Sequence, residues 1–457
     1  MESSALRDAT INQRYGRLLS CSLPVDGISF AGFLAAAEGQ TRFYWENHDD
    51  HVAFAGAGTA VELMAWGAER FDKIANYARE LFEGAQIDGE GNPLSGPRLI
   101  GGFAFRDDFT PDNTWSIYSP AFFALPHYQL ASCGDTMWLT INTQIPPEES
   151  PAPLIPDLRA ALQQKIAQLK AGEWAPVEGR QSALVDIDYP MNYPVWERMI
   201  NDATERIHAG TLRKVVLARA AELRFDQPVR LLPILRQMAT HYANCYRFLF
   251  EPRPRYAFYG ASPELLASVR GRQLDTMGLA GSAARGETAD ADRRLGEDLL
   301  ASAKDCIEHE IVVEKMRDRL RPVTESLEIR PRELLKVSNI QHIHTPIRGL
   351  LKRPIGILPV VEALHPTPAL GGDPRGMAMR VIRKLEPIPR GWYGAPVGWI
   401  DSQLDGEFAV AIRSAVAQEA RAWIYAGAGI VADSVPAREW EETALKFRPM
   451  LDAHSLR

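Results

Sequence analysis

The sequence feature that most constrains the fold is a series of short apolar runs separated by only a few residues. They include YRFLFE, RYAFYG, WYGAPVGWID, FAVAIRSA and WIYAGAGI. Each run has the length and the aromatic and β-branched content of a strand, and the connections are too short for the helical crossovers that parallel strands require. The pattern therefore predicts mainly antiparallel sheets with helices on the outside, rather than alternating β–α–β units.

Longer segments with helical periodicity separate these strands. They cover residues 68–82, 158–171, 196–208, 230–242, 292–320 and 437–451, and a strand is predicted over 214–223. The clearest change in composition is the Pro-rich stretch IPPEESPAPLIP, which is followed by a helix and then by a polar connector over 172–181. We therefore distinguish an N-terminal lobe, residues 1–180, from a region over 190–457. The lobe either belongs to the same fold or is a separate domain.

Composition limits the classes of function. Hydrophobic residues make up 46% of the chain and charged residues 24%, the balance of a protein with a sizeable core. With 51 basic and 58 acidic residues the net charge is −7, so we expect no nucleic-acid partner. Four scattered cysteines fit a reducing cytoplasm. Because no signal-peptide pattern and no long apolar run is present, we expect a cytoplasmic protein without a membrane span.

Two predicted helices carry closely spaced carboxylates. Glu439, Glu442 and Lys446 lie at positions i, i+3 and i+7 and share one helix face, while Asp305 and Glu308 lie one turn apart. Such residues are common on solvated faces, where Glu442 and Lys446 would form an ordinary surface pair. Buried carboxylates, in contrast, must be paired, protonated or bound to a metal, and two such pairs would suit Mg²⁺. The spacing alone leaves both interpretations open.

A lysine and a glutamate stand beside apolar runs, fifty positions apart. Lys214 opens KVVLARA, whose residues are apolar on both sides of the pleat, as in a strand that is buried on both faces. A lysine that burial keeps neutral can act as a general base, although lysines at strand edges more commonly extend to water. Glu264, in GASPELLAS, is either a general acid or a charge at the end of a strand.

Glycine-rich segments can approach an anion through their backbone N–H groups. They are LAGSAARG, with Gly281 and Ser282, LGGDPRG, and AGAG, with Gly427; none has the pattern of a dinucleotide or P-loop site. Arg413 lies within the apolar run FAVAIRSA and is expected to pair with a carboxylate of the protein or of a ligand. His365, in LHPTPALGG, is predicted to lie in a loop, where structural and functional roles are equally compatible with the sequence.

In this order, the segments resemble the chorismate-utilising enzyme family, which includes isochorismate synthases, salicylate synthases, anthranilate synthase large subunits and aminodeoxychorismate synthases. The resemblance spans about residues 195–455 and rests on KVVLARA, GASPELLAS, LAGSAARG, KDCIEHEIVV, LHPTPALGGDPR, YGAPVGWID, FAVAIRSA and AGAGIVADSVPAREWEETALK. It implies an α+β fold in which two large, mainly antiparallel β-sheets pack together with helices outside. It also makes 190–457 the chorismate-binding catalytic region.

The resemblance assigns expected roles to these residues. Glu308 and Glu442 correspond to ligands of Mg²⁺, with Asp305 and Glu439 as acidic partners. Lys214 matches the general base that activates water for attack at C2, and Glu264 matches the general acid for the departing C4 hydroxyl. The candidate substrate contacts stand in the matching segments and are Arg413, Lys446, Gly427, Tyr393, Gly281, Ser282 and His365.

Two positions favour the addition of water over amination. Anthranilate synthases usually carry Gln where this chain has Lys214, and aminodeoxychorismate synthases usually carry a nucleophilic Lys where it has Ala280. The resemblance therefore predicts a monomeric, Mg²⁺-dependent isochorismate synthase without an amidotransferase subunit, serving menaquinone or siderophore synthesis. The alternatives are a salicylate synthase, which carries isochorismate on to salicylate, and a non-catalytic chorismate-binding protein.

Overall fold

The fold consists of two large β-sheets with helices around them. The computed structural model describes residues 16–89, 91–92, 94–109, 113–172 and 182–454, so positions 173–181 of the expected connector lie outside the described residues. Within these ranges the sheets have thirteen and ten strands, and every pairing is antiparallel except that of Arg17–Val25 with Gln86–Asp88 at the edge of the larger sheet. The predicted α+β fold is confirmed.

Strands are numbered along the chain. The larger sheet contains β1 (Arg17–Val25), β2 (Arg42–Asn47), β3 (Val52–Ala57), β5 (Gln86–Asp88), β8 (Tyr128–Cys133), β9 (Thr136–Ile145), β10 (Leu184–Asp188), β11 (Lys214–Phe225), β12 (Tyr246–Arg253), β13 (Tyr256–Ser262), β19 (Gly372–Asp373), β22 (Ser414–Gln418) and β23 (Arg421–Ile430). The smaller sheet contains β4 (Val61–Ala65), β6 (Arg98–Phe103), β7 (Ala121–Leu125), β14 (Leu265–Arg270), β15 (Gln273–Ala284), β16 (Thr324–Ile329), β17 (Glu333–Lys336), β18 (Ile340–Leu351), β20 (Pro396–Asp401) and β21 (Gly406–Val410).

The helices of the described residues are α1 (Phe30–Ala36), α2 (Arg70–Glu83), α3 (Ile155–Ala171), α4 (Tyr193–His208), α5 (Leu231–His241), α6 (Ala289–Ala301), α7 (Ala303–Leu320), α8 (Leu358–Leu364), α9 (Arg375–Leu385) and α10 (Pro436–Ala453), with a 3₁₀ turn at Asn113–Trp115. None of them is long and apolar enough to span a membrane.

Aromatic side chains fill the space between the two sheets. Phe54 of β3 and Trp399 of β20 come from opposite sheets, and their ring centroids lie 5.0 Å apart at an edge-to-face angle. Trp45 of β2 donates from Nε1 to Glu407 Oε1 of β21, 3.2 Å away. Because buried aromatic pairs add to the free energy of burial, this layer holds the sheets in a fixed relation.

The prediction of one helix over residues 292–320 is wrong. The structure has two helices there, α6 and α7, which are separated at Ser302. Ser302 has an extended backbone, and its side chain accepts a hydrogen bond from the Asp305 N–H, which caps the start of α7. The break places Asp305 in the first turn of α7 and Glu308 one turn further along.

The prediction of one strand over FAVAIRSA is also wrong. The segment ends β21 of the smaller sheet at Val410 and begins β22 of the larger sheet at Ser414. Between them Arg413 has a φ of 50°, in the left-handed region that non-glycine residues rarely adopt. The apolar side chains continue through the crossing because both sheets are buried there, so the sequence pattern contains no break.

Candidate active site

Two chain segments cross between the sheets side by side. One runs from β13 to β14 through Glu264, and the other runs from β21 to β22 through Arg413. Backbone hydrogen bonds tie the crossings together: the Val410 N–H donates to the Glu264 carbonyl at 3.0 Å, and the Ala261 N–H donates to the Arg413 carbonyl at 3.1 Å. The fold thus places Glu264 and Arg413 at the same corner, although they are far apart in sequence.

The Glu264 side chain is almost completely buried, with 3% of its residue surface exposed. Burial raises its pKa to about 8, although the charges of Arg413, Lys214 and Lys446 act in the opposite direction. Desolvation disfavours the carboxylate form, so the carboxyl group is mostly protonated at neutral pH. Glu264 can therefore donate a proton.

Two basic side chains, Arg413 and Lys446, lie near Glu264. The Arg413 guanidinium is buried, which lowers its pKa, and its Nη2 lies 3.3 Å from His342 Nε2. Lys446, from α10, donates to the Gly427 carbonyl of β23 at 2.9 Å and to Glu442 Oε1 at 2.5 Å. Two cations at one buried corner form a site suited to an anionic ligand.

Carboxylates of α7 and α10 are paired with lysines. Glu308 Oε1 lies 2.8 Å from Lys214 Nζ, at an angle outside that of a hydrogen bond, and Lys304 Nζ donates to Glu439 Oε1 at 2.9 Å. Glu439 is only 1% exposed, so its helix face is not the solvated surface that spacing alone allowed. Across the described ranges, no three His, Cys, Asp or Glu side chains form a ready-made metal site.

These carboxylates nevertheless repel one another. Burial is the main cause that raises the pKa of Asp305, and the neighbouring charges of Glu308 and Glu442 raise it further. Burial and the Glu442 charge likewise raise the pKa of Glu439. Oxygen ligands with an excess of negative charge are the environment in which a hard divalent cation is favoured, so the donor set fits Mg²⁺.

Lys214 is fully buried at the first position of β11. The adjacent strand β23 makes room for it at Gly429: a Cβ atom there would lie 2.2 Å from Glu308 Oε1 and 3.1 Å from Lys214 Cε. A side chain at this position would therefore displace the Glu308 carboxylate from the strand and disturb the Lys214–Glu308 pair.

We expect Gly429→Ala to lower kcat by about 100-fold, because displacement of reacting groups by about 1 Å has an effect of that size. Overpacking should also lower the free energy of unfolding by about 1–3 kcal/mol. The measurements are steady-state kinetics and chemical denaturation. Gly376→Ala is the matched control, since the nearest neighbour of a Cβ there is Arg380 Nη1 at 3.8 Å. Unchanged kinetics in Gly429→Ala would contradict the assigned packing.

A small cavity of about 60 Å³ opens at this corner, below the roughly 300–1,000 Å³ of most small-molecule sites. The candidate residues that line it are Glu264, Gly281, Ser282, Glu308, Tyr393, Arg413, Gly427, Glu442 and Lys446. Three further candidate residues do not line the cavity but lie close to it. Lys214 contacts Glu308, Glu439 contacts Lys304, and Asp305 lies against Gly281, where a Cβ would be 3.1 Å from the Asp305 Cβ.

The structure does not bring His365 to the cavity. Its ring is buried beside Phe71 and Phe105, and its Nε2 lies 3.1 Å from the Phe105 carbonyl oxygen. Burial lowers the pKa of His365 well below its usual value, so the ring is neutral. His365 packs between α2 and the segment that follows β6, which corrects its assignment as a substrate contact.

The chain is similar in sequence to known proteins. The model of the chorismate binding enzyme family matches residues 4–455. The chain belongs to this family. The isochorismate synthase MenF of Bacillus subtilis is 34% identical over 442 residues, which cover 94% of this chain and 91% of the relative. The salicylate biosynthesis isochorismate synthase of Pseudomonas aeruginosa is 38% identical over 418 residues, or 90% and 84% of the two chains.

A solved structure of a chorismate-binding enzyme is also similar over nearly the whole chain. It is the menaquinone-specific isochorismate synthase MenF from Escherichia coli, with a TM-score of 0.79, 28% identity and coverage of 96% of this chain and 95% of that chain. The similarity includes the N-terminal part, which resembles the family only loosely at the level of short segments.

Two residues at or beside this cavity were not predicted from the sequence. His342 lines the cavity from β18, and Lys304 holds Glu439. The available signal for His342 was its position between Ile340 and Ile343 in the segment IQHI, since a polar side chain that becomes buried in a strand requires a partner. Lys304 had no such signal, because a lysine four residues before Glu308 also fits a solvated helix face.

Proposed function

We propose that the protein is an isochorismate synthase, which adds water at C2 of chorismate and removes the C4 hydroxyl. The observation that carries the proposal is that Glu264, which a pKa of about 8 keeps protonated, lines the cavity, while the fully buried Lys214 lies behind its wall in contact with Glu308. Isomerisation by exchange of a hydroxyl requires an acid and a base at the same time. The relatives named as isochorismate synthases in Bacillus subtilis and Pseudomonas aeruginosa support the same activity.

In the proposed mechanism, the cations of the cavity hold the substrate. Arg413 and Lys446 bind the carboxylates of chorismate, and Lys446 turns from Glu442 toward the ligand. Burial raises the pKa of Tyr393 to about 12, so its hydroxyl remains a neutral hydrogen-bond donor beside the ring. These contacts fix the ring between Lys214 and Glu264.

The proposed reaction needs two proton transfers, one to Lys214 and one from Glu264. Lys214, acting as the base, takes a proton from the water that attacks C2, and Glu264 gives its proton to the hydroxyl that leaves C4 as water. The ring double bonds shift between the two carbons. One water enters and one leaves, and exchange with solvent restores both groups, so no redox cofactor and no amidotransferase subunit are needed.

Mg²⁺ is the proposed cofactor. Glu308 and Glu442, with Asp305 and Glu439 beside them, would hold it. When bound, Mg²⁺ offsets the negative charge of the substrate's carboxylates. The support is the donor chemistry of these oxygen ligands and the mutual repulsion that raises the pKa of Asp305 and Glu439 after burial.

A chromatographic product assay tests the proposal. The protein is incubated with chorismate and Mg²⁺ without ammonia, and an EDTA control removes the metal. We expect isochorismate as the sole product, formed only when Mg²⁺ is present. Salicylate with pyruvate would assign the protein to the salicylate synthases, and tight binding without turnover would make it a non-catalytic binding protein.

We expect kcat/KM to fall as the pH rises through about 8, because Glu264 must be protonated to act and loses its proton in that range. The quantity kcat/KM reports the ionisation of the free enzyme. It is measured at saturating Mg²⁺ over a pH series, with circular dichroism at each pH as the control for folding. A profile that stays flat or rises through this range contradicts the role of Glu264.

A further inference from the structure

Three lysines are paired with the carboxylates of α7 and α10, and Lys304 is the most exposed of them. Its side chain is 33% exposed, against 14% for Lys446 and 0% for Lys214. The proposed mechanism uses Lys446 as a substrate contact and Lys214 as the base, and it gives no role to Lys304. Because its ammonium group already lies close to water, Lys304 is the lysine that can most easily exchange its carboxylate partner for solvent.

The position of Lys304 is unfavourable for a lysine unless acidic groups lie nearby. It is the second residue of α7, where the free N–H groups of the first helical turn carry a partial positive charge. Burial lowers the pKa of Lys304, but Glu439, Glu308 and Glu442 together outweigh burial and raise it. The ammonium group is therefore charged and interacts with three carboxylates rather than with one.

The buried carboxylate of Glu439 requires a counter-ion. Its Oε1 accepts a hydrogen bond from Lys304 Nζ at 2.9 Å. Its Oε2 is buried and makes no hydrogen bond of ordinary geometry with the residues that the structure describes. A carboxylate in this environment is stable only beside a positive charge. Because Glu439 belongs to the donor set that fits Mg²⁺, Lys304 and the metal ion would neutralise the same group of carboxylates.

We propose that Lys304 competes with Mg²⁺: its ammonium group neutralises these carboxylates when Mg²⁺ is absent and turns out to solvent when Mg²⁺ binds. Two cations close together in a partly buried site repel each other, so the presence of Lys304 weakens the binding of Mg²⁺. The inference rests on the proposed Mg²⁺ site. It gives the acidic group a resident counter-ion, so the metal-free protein remains neutralised at this site and its occupancy follows the concentration of Mg²⁺.

Calorimetric titration with Mg²⁺, in the absence of chorismate, tests the sign of this effect. Lys304→Gln removes the charge but keeps an N–H donor for Glu439, and Kd for Mg²⁺ should fall by about fivefold or more, the lower end of ordinary coupling between two sites. Lys304→Arg keeps the charge and should leave Kd within about twofold. Lys315→Gln is the matched control and should also leave Kd within about twofold, since Lys315 lies on the same helix but pairs with Glu314 and Asp318.

Differential labelling of the parent protein measures the displacement directly and does not depend on a variant. Lysine side chains are acetylated in EDTA or in Mg²⁺, and mass spectrometry gives the labelled fraction at each position. Lys304 should react about threefold faster or more with Mg²⁺, because an amine released from its ion pair is more exposed and more easily deprotonated. Lys315 should react equally in both conditions.

Three outcomes would contradict the inference. An unchanged or higher Kd for Mg²⁺ in Lys304→Gln would overturn it, and a higher Kd would make Lys304 a support of the metal site instead. Equal or slower labelling of Lys304 in Mg²⁺ would overturn the displacement even if the variant did not fold. A parent protein that does not bind Mg²⁺ would overturn both this inference and the proposed cofactor, whereas the product assay with chorismate decides the proposed activity separately.

Discussion

Lys214→Ala should lower kcat by about 10²–10⁴-fold, the usual contribution of a general base. At saturating Mg²⁺ its Kd for chorismate should remain within about threefold of the parent value, or about 0.7 kcal/mol. The reason is that Lys214 contacts Glu308 at the back of the cavity, whereas Arg413 and Lys446 are the proposed carboxylate ligands. Single-turnover kinetics and calorimetry measure the two quantities separately.

Lys214→Arg is the matched control for this experiment. Arginine keeps the positive charge beside Glu308 but does not lose its proton under assay conditions. If Lys214 is the base, the arginine variant is as inactive as the alanine variant. A Lys214→Arg protein that retains most of its activity would show that the residue acts only as a fixed cation, and an active Lys214→Ala protein would remove it from the mechanism.

Glu264→Gln is the second substitution with a large expected effect. Glutamine fills nearly the same volume but cannot donate a proton to the leaving hydroxyl, so kcat should fall by about 10²–10⁴-fold. The loss should appear in kcat rather than in KM, because the hydroxyl leaves only in the transition state. The measurement is the full dependence of rate on chorismate concentration at neutral pH.

Glu407→Gln controls for the loss of a buried carboxyl group as such. Glu407 is 3% exposed, and burial raises its pKa to about 7, but it accepts hydrogen bonds from Trp45 and Asn47 between the sheets and does not line the cavity. Its substitution should leave kcat within about threefold, since a neutral amide can remain hydrogen-bonded there. Equal losses in the two variants would mean that Glu264 supports the fold rather than the reaction.

The sequence predicted those parts of the fold that local patterns encode. The strand that begins at Lys214 and the last helix with Glu439 and Glu442 lie where their periodicity indicated. The helix break at Ser302 and the crossing at Arg413 were missed for a different reason. The serine cap is a local hydrogen bond hidden inside a continuous helical pattern, whereas the left-handed arginine is decided by the tertiary crossing between the sheets, which overrides the strand pattern.

In the candidate site, too, the sequence predicted some features and could not predict others. The resemblance named Lys214, Glu264 and the carboxylates, which stand in recognisable segments. It could not show that Glu264 is buried by a crossing between sheets, which is the cause of its raised pKa. The role of each histidine depends on its neighbours in the fold, which the sequence does not show. His342 contacts Arg413 in the cavity, whereas His365 contacts the Phe105 carbonyl outside it.

The most direct test of the central claim is the source of the new hydroxyl. Chorismate is converted in H₂¹⁸O with Mg²⁺, and the isochorismate is analysed by mass spectrometry. If Lys214 activates water for attack at C2, the product is two mass units heavier and carries the label at C2. Isochorismate without ¹⁸O would show that the C4 hydroxyl migrates within the molecule, and this would contradict the proposed roles of both Lys214 and Glu264.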